Sequence, residues 1–234
     1  MTLACDDPRI INGMKQQLCW RRELIAAGEK PLGWKLAFGG PAAMHRLKIN
    51  APLVGFLMQD AVVASGSAIS FVGWKKPAAE PELAVYLRKD LQRGADRETI
   101  MAAIAGLGPA IELADVDHPS EDVEGTLARN IYQRHVILGL CDASHPGGRL
   151  SGLNARVLRN GEEMANTSNF EALTGELITI VGHVADLLSF FGELLCAGQI
   201  IIAGSLTPPI WVQAGESLVF HLDPQPPIAV TFTA

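Results

Sequence analysis

Two glutamates one residue apart, Glu80 and Glu82, open the run Glu80-Pro81-Glu82-Leu83-Ala84-Val85-Tyr86-Leu87. In an extended strand, residues i and i+2 project from one face. Both carboxylates would therefore point together, while Leu83, Val85 and Leu87 face the other way. Pro81 offers no ladder N–H, which places this strand start at a sheet edge or a rim. A third carboxylate, Glu112, stands alone inside the apolar run Pro109-Ala110-Ile111-Glu112-Leu113-Ala114. An isolated charge in apolar surroundings costs free energy unless something compensates it. Two carboxylates about 4 Å apart repel by roughly 4 kcal/mol at an effective dielectric of about 20. Three gathered together would need a cation or protonation, and an all-oxygen set suits Mg²⁺, Mn²⁺ or Ca²⁺. Spacing alone leaves a solvated strand edge as the more ordinary reading of the pair, and it does not bring Glu112 to them.

The elements that would carry these side chains change character along the chain. Residues 8–28 place Ile10, Ile11, Met14, Leu18, Leu24 and Ile25 near helical spacing, with Gly28 as a stop. Turn residues surround a short apolar run holding Lys35, and Pro41 opens a second short helix in PAAMHRLKI. From about residue 52, short β-like runs follow one another, among them LVGFLM, ELAVYLRKD, AIELADV, QIIIAGSL and IAVTFTA. Helical stretches intervene at 96–106 and 174–195. Many strands and few helices predict an α+β protein with a mixed β-roll or barrel-like core. The expected division is a helical amino-terminal segment, 1–58, and a catalytic β core, 59–234.

Composition excludes several classes. Of 234 residues, 48% are hydrophobic, enough for a sizeable core and against disorder. A formal net charge of −6 offers no basic field for nucleic acid, so a small anionic substrate would be captured locally by a metal or by placed Lys and Arg. The start MTLACDDPRIING lacks the pattern of a signal peptide, and no apolar stretch has membrane-spanning length. Cys5, Cys19, Cys141 and Cys196 are scattered without metal-like spacing. These features predict a cytoplasmic protein with reduced thiols and no membrane partner. No Gly-rich phosphate loop or Ser-His-Asp ordering stands out, and the histidines are dispersed.

Across roughly residues 30–234 the chain resembles the 2-oxopent-4-enoate hydratase and 4-oxalocrotonate decarboxylase branch of the fumarylacetoacetase superfamily. The segments carrying the resemblance are Gly33-Trp34-Lys35-Leu36, Pro52-Leu53-Val54-Gly55-Phe56-Leu57, Glu80-Pro81-Glu82-Leu83-Ala84, Pro109-Ala110-Ile111-Glu112-Leu113 and Ala197–Leu206. Their order and spacing, with Gly215 and the terminal strand, make the match specific. The resemblance implies a β-roll core, homo-oligomerisation, and Mg²⁺ (or Mn²⁺) held by Glu80, Glu82 and Glu112. It implies a lyase of aromatic-compound catabolism: hydration of 2-hydroxypenta-2,4-dienoate, or decarboxylation or C–C hydrolysis of a related oxo acid through the same metal-held enolate. Lys35 becomes the candidate catalytic group for charge stabilisation or proton transfer. Gly204, Ser205 and Leu206 become the substrate-binding loop, offering backbone N–H groups and a hydroxyl.

The sequence departs from the family where a D-N-A-S segment is expected, reading Arg129-Asn130-Ile131-Tyr132. Ala203 replaces a threonine, and Leu173-Thr174-Gly175-Glu176 stands where a Gly-His-Pro motif is frequent. These changes fall on the substrate pocket rather than the carboxylates. Arg129 is a candidate for a distal substrate carboxylate, against the more ordinary surface salt bridge. The changes also keep open a non-catalytic binding or assembly subunit, associated with a related hydratase or decarboxylase.

Overall fold

A computed structural model describes residues 6–234. Helix α1 (Pro8–Ala26) starts where Asp7 accepts a bond from the Arg9 N–H at 2.9 Å and Pro8 takes the first helical turn. Strand β1 (Pro31–Ala37), helix α2 (Pro41–Leu47) and strand β2 (Leu53–Met58) follow. The 1–58 stretch thus contributes two strands to the main sheet as well as its helices. Next come β3 (Ser67–Ser70), β4 (Pro77–Leu87), α3 (Arg97–Ala103), β5 (Ile104–Asp115), α4 (Val123–Ala128) and β6 (Gln133–Leu138). The last third carries β7 (Asn154–Arg159), β8 (Glu162–Thr167), α5 (Leu177–Phe190), β9 (Ile200–Ser205), β10 (Ile210–Trp211), β11 (Ser217–Asp223) and β12 (Ile228–Thr233).

Two sheets form the α+β core. The larger runs β2-β1-β9-β4-β5-β6, with β10 pairing the start of β4; the smaller runs β3-β12-β11-β7-β8. Both are mixed, because β1 lies parallel to β9 and β12 parallel to β3 among otherwise antiparallel neighbours. The main core includes Leu83, Val85, Ile111 and Leu113 from one face of the large sheet, with Phe220 and Phe232 from the small one. The opposite face of the large sheet carries a smaller apolar cluster, including Ala84, Ala110, Ile200 and Ile202.

Both expected central helices are shorter than their patterns. α3 ends at Ala103 because Ile104 turns extended and feeds directly into β5. α5 is bounded by Gly175 and Gly192, both with left-handed φ (92° and 75°) that end helical geometry. Of the edge or rim expected for Pro81, the edge is overturned: β4 lies in the middle of the sheet, between β9 and β5. On one side of β4 the pairing passes from β9, at Glu82 opposite Ser205, to β10, at Ala79 opposite Ile210. Pro81 sits in that gap, beside a register shift between Glu82 and Ala84, so its missing N–H breaks no ladder bond there. Among the described residues Cys19, Cys141 and Cys196 are free thiols, and no helix is long and apolar enough to cross a membrane. Cys5 and the start of the chain lie outside the described residues.

Candidate metal and substrate site

Strand register builds the carboxylate cluster. Glu80 stands directly opposite Glu112 across the antiparallel β4–β5 pair, and Glu82 follows two residues along the same face. Opposed like charges destabilise such a pair. Yet one carboxylate oxygen from each of Glu80, Glu82 and Glu112 lies within 4.8 Å of the others. Glu82 and Glu112 are 1% and 0% exposed, and Glu80 is half-buried.

Lys35 joins them from two strands away. It pairs with Ile202 of β9, and Ile202 pairs with Ala84 of β4, which puts Lys35 on the face of Ala84, Glu82 and Glu80. Its side chain is buried, and Nζ donates to Glu112 Oε1 at 2.5 Å and to the Ile131 carbonyl at 2.9 Å. A solubility role for this lysine is thereby excluded. Across β1–β2, Lys35 faces Gly55, where a Cβ would come within 3.0 Å of the Lys35 stem and 2.9 Å of Asn130 Oδ1. Glycine makes room for the stem to pass.

The electrostatics follow from burial. Desolvation pushes the Glu82 carboxyl well above its ordinary range, and the neighbouring Glu112 and Glu80 push it further. The Gly204 N–H, bonded to Glu82 Oε2 at 2.8 Å, offsets part of this. Desolvation also raises Glu80, against the pull of Lys35. Glu112 rises to about 7, again chiefly by desolvation, with Lys35 opposing and Glu80 adding. Glu112 Oε2 is buried without a hydrogen-bond partner. An orphaned buried carboxylate oxygen beside two more carboxylates is satisfied by a hard cation, so the residues present fit a divalent ion.

Lys35, Glu80 and Glu82 line a cavity of about 610 Å³, within the usual range for small-molecule sites. Gly204 and Ser205 line it too, but the Gly204 N–H is already given to Glu82. Leu206 is not in its lining: its N–H bonds to the Pro81 carbonyl at 2.9 Å and its side chain packs on the core. Arg129 is also outside the lining and pairs with Asp122 at 3.3 Å, both more than half exposed.

The segment departing from the family pattern does structural work that the sequence reading missed. Asn130, Ile131 and Tyr132 all have left-handed φ (56°, 50° and 64°). Asparagine tolerates that region; isoleucine and tyrosine do so only under strain. The Asn130 side chain accepts from the Phe56 N–H at 2.8 Å and donates to the Phe56 carbonyl at 2.9 Å. This clasp fixes the loop so that the Ile131 carbonyl meets Lys35. Tyr132 lines the cavity and donates its hydroxyl to the His118 carbonyl at 3.0 Å. Asparagine's tolerance of left-handed φ was the one signal for this in the sequence.

The family profile for the fumarylacetoacetate hydrolase C-terminal domain matches residues 37–233. The chain belongs to the fumarylacetoacetate hydrolase family. Within that family it is 27% identical over 213 residues to 2-hydroxyhexa-2,4-dienoate hydratase from Comamonas testosteroni, covering 89% of this chain and 80% of the relative. It is 26% identical over 197 residues to 4-oxalocrotonate decarboxylase from Pseudomonas sp, covering 83% and 75%. The fold matches a solved structure of 4-oxalocrotonate decarboxylase from Pseudomonas putida G7, complexed with magnesium and adipate. That match has a TM-score of 0.86 and 24% identity, and covers 95% of this chain and 86% of that one. The mixed core with its amino-terminal helix is that of the fumarylacetoacetate hydrolase C-terminal fold.

Proposed function

We propose that this protein is a divalent-metal-dependent lyase acting on a small 2-oxo or 2-hydroxydienoic acid. Hydration of 2-hydroxypenta-2,4-dienoate is the leading reaction. Decarboxylation of the 4-oxalocrotonate type, or hydrolysis of an acylpyruvate, is the alternative, because the same carboxylates and lysine serve all three. Three carboxylates gathered within 4.8 Å beside a buried lysine, with Glu80, Glu82 and Lys35 on the wall of a ligand-sized cavity, carry this reading. The hydratase and decarboxylase relatives support it.

Glu80, Glu82 and Glu112 would hold Mg²⁺ (or Mn²⁺), which supplies Lewis-acid polarisation of a carbonyl when bound. The chain's own residues do the rest. An ammonium has three N–H donors. Lys35 commits one to Glu112 and one to the Ile131 carbonyl, which leaves the third for a substrate oxygen or for proton delivery at Nζ. Gly204 acts through Glu82, holding that carboxylate in place by its N–H, while Ser205 lines the cavity and its Oγ accepts from the Thr207 N–H at 3.4 Å. Burial of Lys35, Glu82 and Glu112 limits competing water and strengthens each charge interaction.

Purified protein with Mg²⁺ should be offered 2-hydroxypenta-2,4-dienoate, 4-oxalocrotonate, oxaloacetate and an acylpyruvate, followed by ultraviolet absorbance. Turnover of the dienoate is expected. No turnover of any of the four would remove the lyase reading, and oxalate binding without turnover would favour a non-catalytic subunit.

A further inference from the structure

A tyrosine with left-handed φ needs something to hold it there, and Tyr132 (φ 64°) is the residue that aims the backbone acceptor of Lys35. Rotation about its N–Cα bond sets the plane of the rigid peptide joining it to Ile131. The carbonyl of that peptide is the one 2.9 Å from Lys35 Nζ. Backbone bonds tie both ends of this unit. The Ile131 N–H donates to the Thr126 carbonyl of α4 at 2.8 Å, and the Asp115 N–H donates to the Tyr132 carbonyl at 2.9 Å.

The Tyr132 side chain is held chiefly by His118, in the loop between β5 and α4. Its hydroxyl donates to the His118 carbonyl at 3.0 Å, and the two rings lie 4.4 Å apart at a tilt of 40°. His118 is itself fixed. Its Nδ1 stands 2.5 Å from Asp117 Oδ1, and the Arg129 Nε–H donates to Nε2 at 3.4 Å. An arginine donor at Nε2 puts the imidazole proton on Nδ1, toward Asp117. Thr126 Oγ1, 3.4 Å from Nε2 and 3.5 Å from the Tyr132 hydroxyl, closes the cluster. The His118 side chain is 12% exposed and lies outside the lining of the cavity that Tyr132 faces. None of its hydrogen-bond partners is Lys35 or a carboxylate of the metal cluster.

We propose that His118 is a positioning residue for Lys35: gripped by Asp117, it holds the Tyr132 ring, and through the Ile131–Tyr132 peptide it fixes the carbonyl that directs the Lys35 ammonium. This rests on the role of Lys35 in the lyase reading above and deepens it. Without His118, Tyr132 would relax toward negative φ and turn the Ile131 carbonyl away. Lys35 would keep its charge and its bond to Glu112, but its remaining N–H groups would lose their direction. A misdirected donor costs most where alignment matters most, in the chemical step rather than in binding of the substrate.

The test combines kinetics of Mg²⁺-loaded protein on 2-hydroxypenta-2,4-dienoate with urea unfolding in chelator. The variants are His118→Ala, His118→Phe, Lys35→Met, and His118→Ala combined with Lys35→Met. His118→Ala should lower kcat at least about tenfold while KM stays within about twofold, since a displacement of about 1 Å can cost about 100-fold in rate. His118→Phe keeps a ring against Tyr132 and should recover part of that loss. In chelator, the urea midpoint drop caused by His118→Ala should be clearly smaller in the Lys35→Met background, where the Ile131 carbonyl has already lost its ammonium. Unconnected sites would give equal drops. Equal drops in the two backgrounds, or a His118→Ala loss confined to KM, would overturn the proposal. So would a His118→Phe protein as impaired as His118→Ala, because ring contact would then not be what holds Tyr132. A wild type that turns over no dienoate would remove the lyase reading, and the chelator measurements would still decide whether His118 acts on Lys35.

Discussion

Lys35 Nζ and Glu112 Oε1 meet at 2.5 Å with side chains 1% and 0% exposed, joining the second strand of the large sheet to its fifth. A buried ion pair gains little net stability, because desolvation offsets the Coulomb attraction. This pair has a further consequence. It ties up one Glu112 oxygen and leaves Oε2 without a partner, beside Glu80 and Glu82. The lysine orients the third carboxylate and spares an oxygen for an ion.

Lys35→Met would retain the stem beside Gly55 and remove the charge, leaving Glu112 buried without its partner. Removing one member of a buried pair costs about 3–5 kcal/mol. Metal-free protein in chelator should therefore melt at a clearly lower temperature, and Mg²⁺ should recover part of the loss by supplying positive charge to the same carboxylates. Turnover should fall far more than metal affinity. A melting curve matching wild type in chelator would contradict the buried pairing.

Glu82→Gln and Glu112→Gln each remove one charge from the cluster at nearly constant shape. Even changes next to metal ligands typically cost about 10–100-fold in affinity, so loss of a direct ligand should exceed about 100-fold. Titration calorimetry with Mg²⁺ and Mn²⁺ reads this directly. Circular dichroism should show the fold retained in both, with Glu82→Gln relieving repulsion and Glu112→Gln melting lower because it takes the partner from buried Lys35. Unchanged affinity in both variants would refute the ligand set.

How much of this was legible in the chain is clear at individual positions. The strand period of two correctly put Glu80 and Glu82 on one face, and the apolar neighbours of Glu112 marked it as a costly charge. Their convergence depends on register, Glu80 opposite Glu112, which links residues 32 apart and has no local signature. Pro81 argued for an edge because the rule counts ladder bonds, and only the hand-over from β9 to β10 explains its central place. β1 was obscured by the turn residues on both sides of it. In Arg129–Tyr132 the sequence shows only that the family's aspartate and serine are missing, and it could not reveal the Asn130 side chain clasping the Phe56 backbone.

Metal-free stability should depend on pH with a definite sign. Glu112 is raised from an ordinary 4.5 to about 7, and Glu80 and Glu82 are raised as well. In that interval the folded state holds more protons than the unfolded one, so unfolding free energy falls as pH rises. For this cluster, metal-free stability should be greatest below about pH 4.5 and decline as pH passes through about 7. Mg²⁺ competes with those protons, so its stabilising effect should grow over the same window. Denaturant titrations of wild type and Glu112→Gln, with chelator and with Mg²⁺, isolate the effect. A Glu112→Gln difference that does not vary with pH would contradict it.

Asn130 predicts an ordered series. Asn130→Ala would leave the buried Phe56 N–H and carbonyl without their partner, at about 1–3 kcal/mol for each unpaired group. It would also place alanine at a φ of 56°. Asn130→Gly loses the same two bonds but removes the backbone penalty. Urea midpoints should fall in the order wild type, Asn130→Gly, Asn130→Ala, and both variants should lose activity as the Ile131 carbonyl leaves Lys35. Equal midpoints for all three would show that the clasp does not secure this loop.

Gly204 separates two roles that one residue could play. Its N–H is bonded to Glu82 Oε2 at 2.8 Å, its φ is 93°, and a Cβ there would come within 2.8 Å of Thr174 Cγ2. Alanine at this position must shift the β9 end or push Thr174 away, and either movement disturbs Glu82. Gly204→Ala should therefore weaken Mg²⁺ binding in calorimetry and raise the Michaelis constant only secondarily. Thr174→Ser, which removes the obstructing methyl, should restore part of the metal affinity to Gly204→Ala. If Gly204→Ala instead kept full Mg²⁺ affinity and lost only substrate affinity, the glycine would be a substrate contact rather than the support of a ligand.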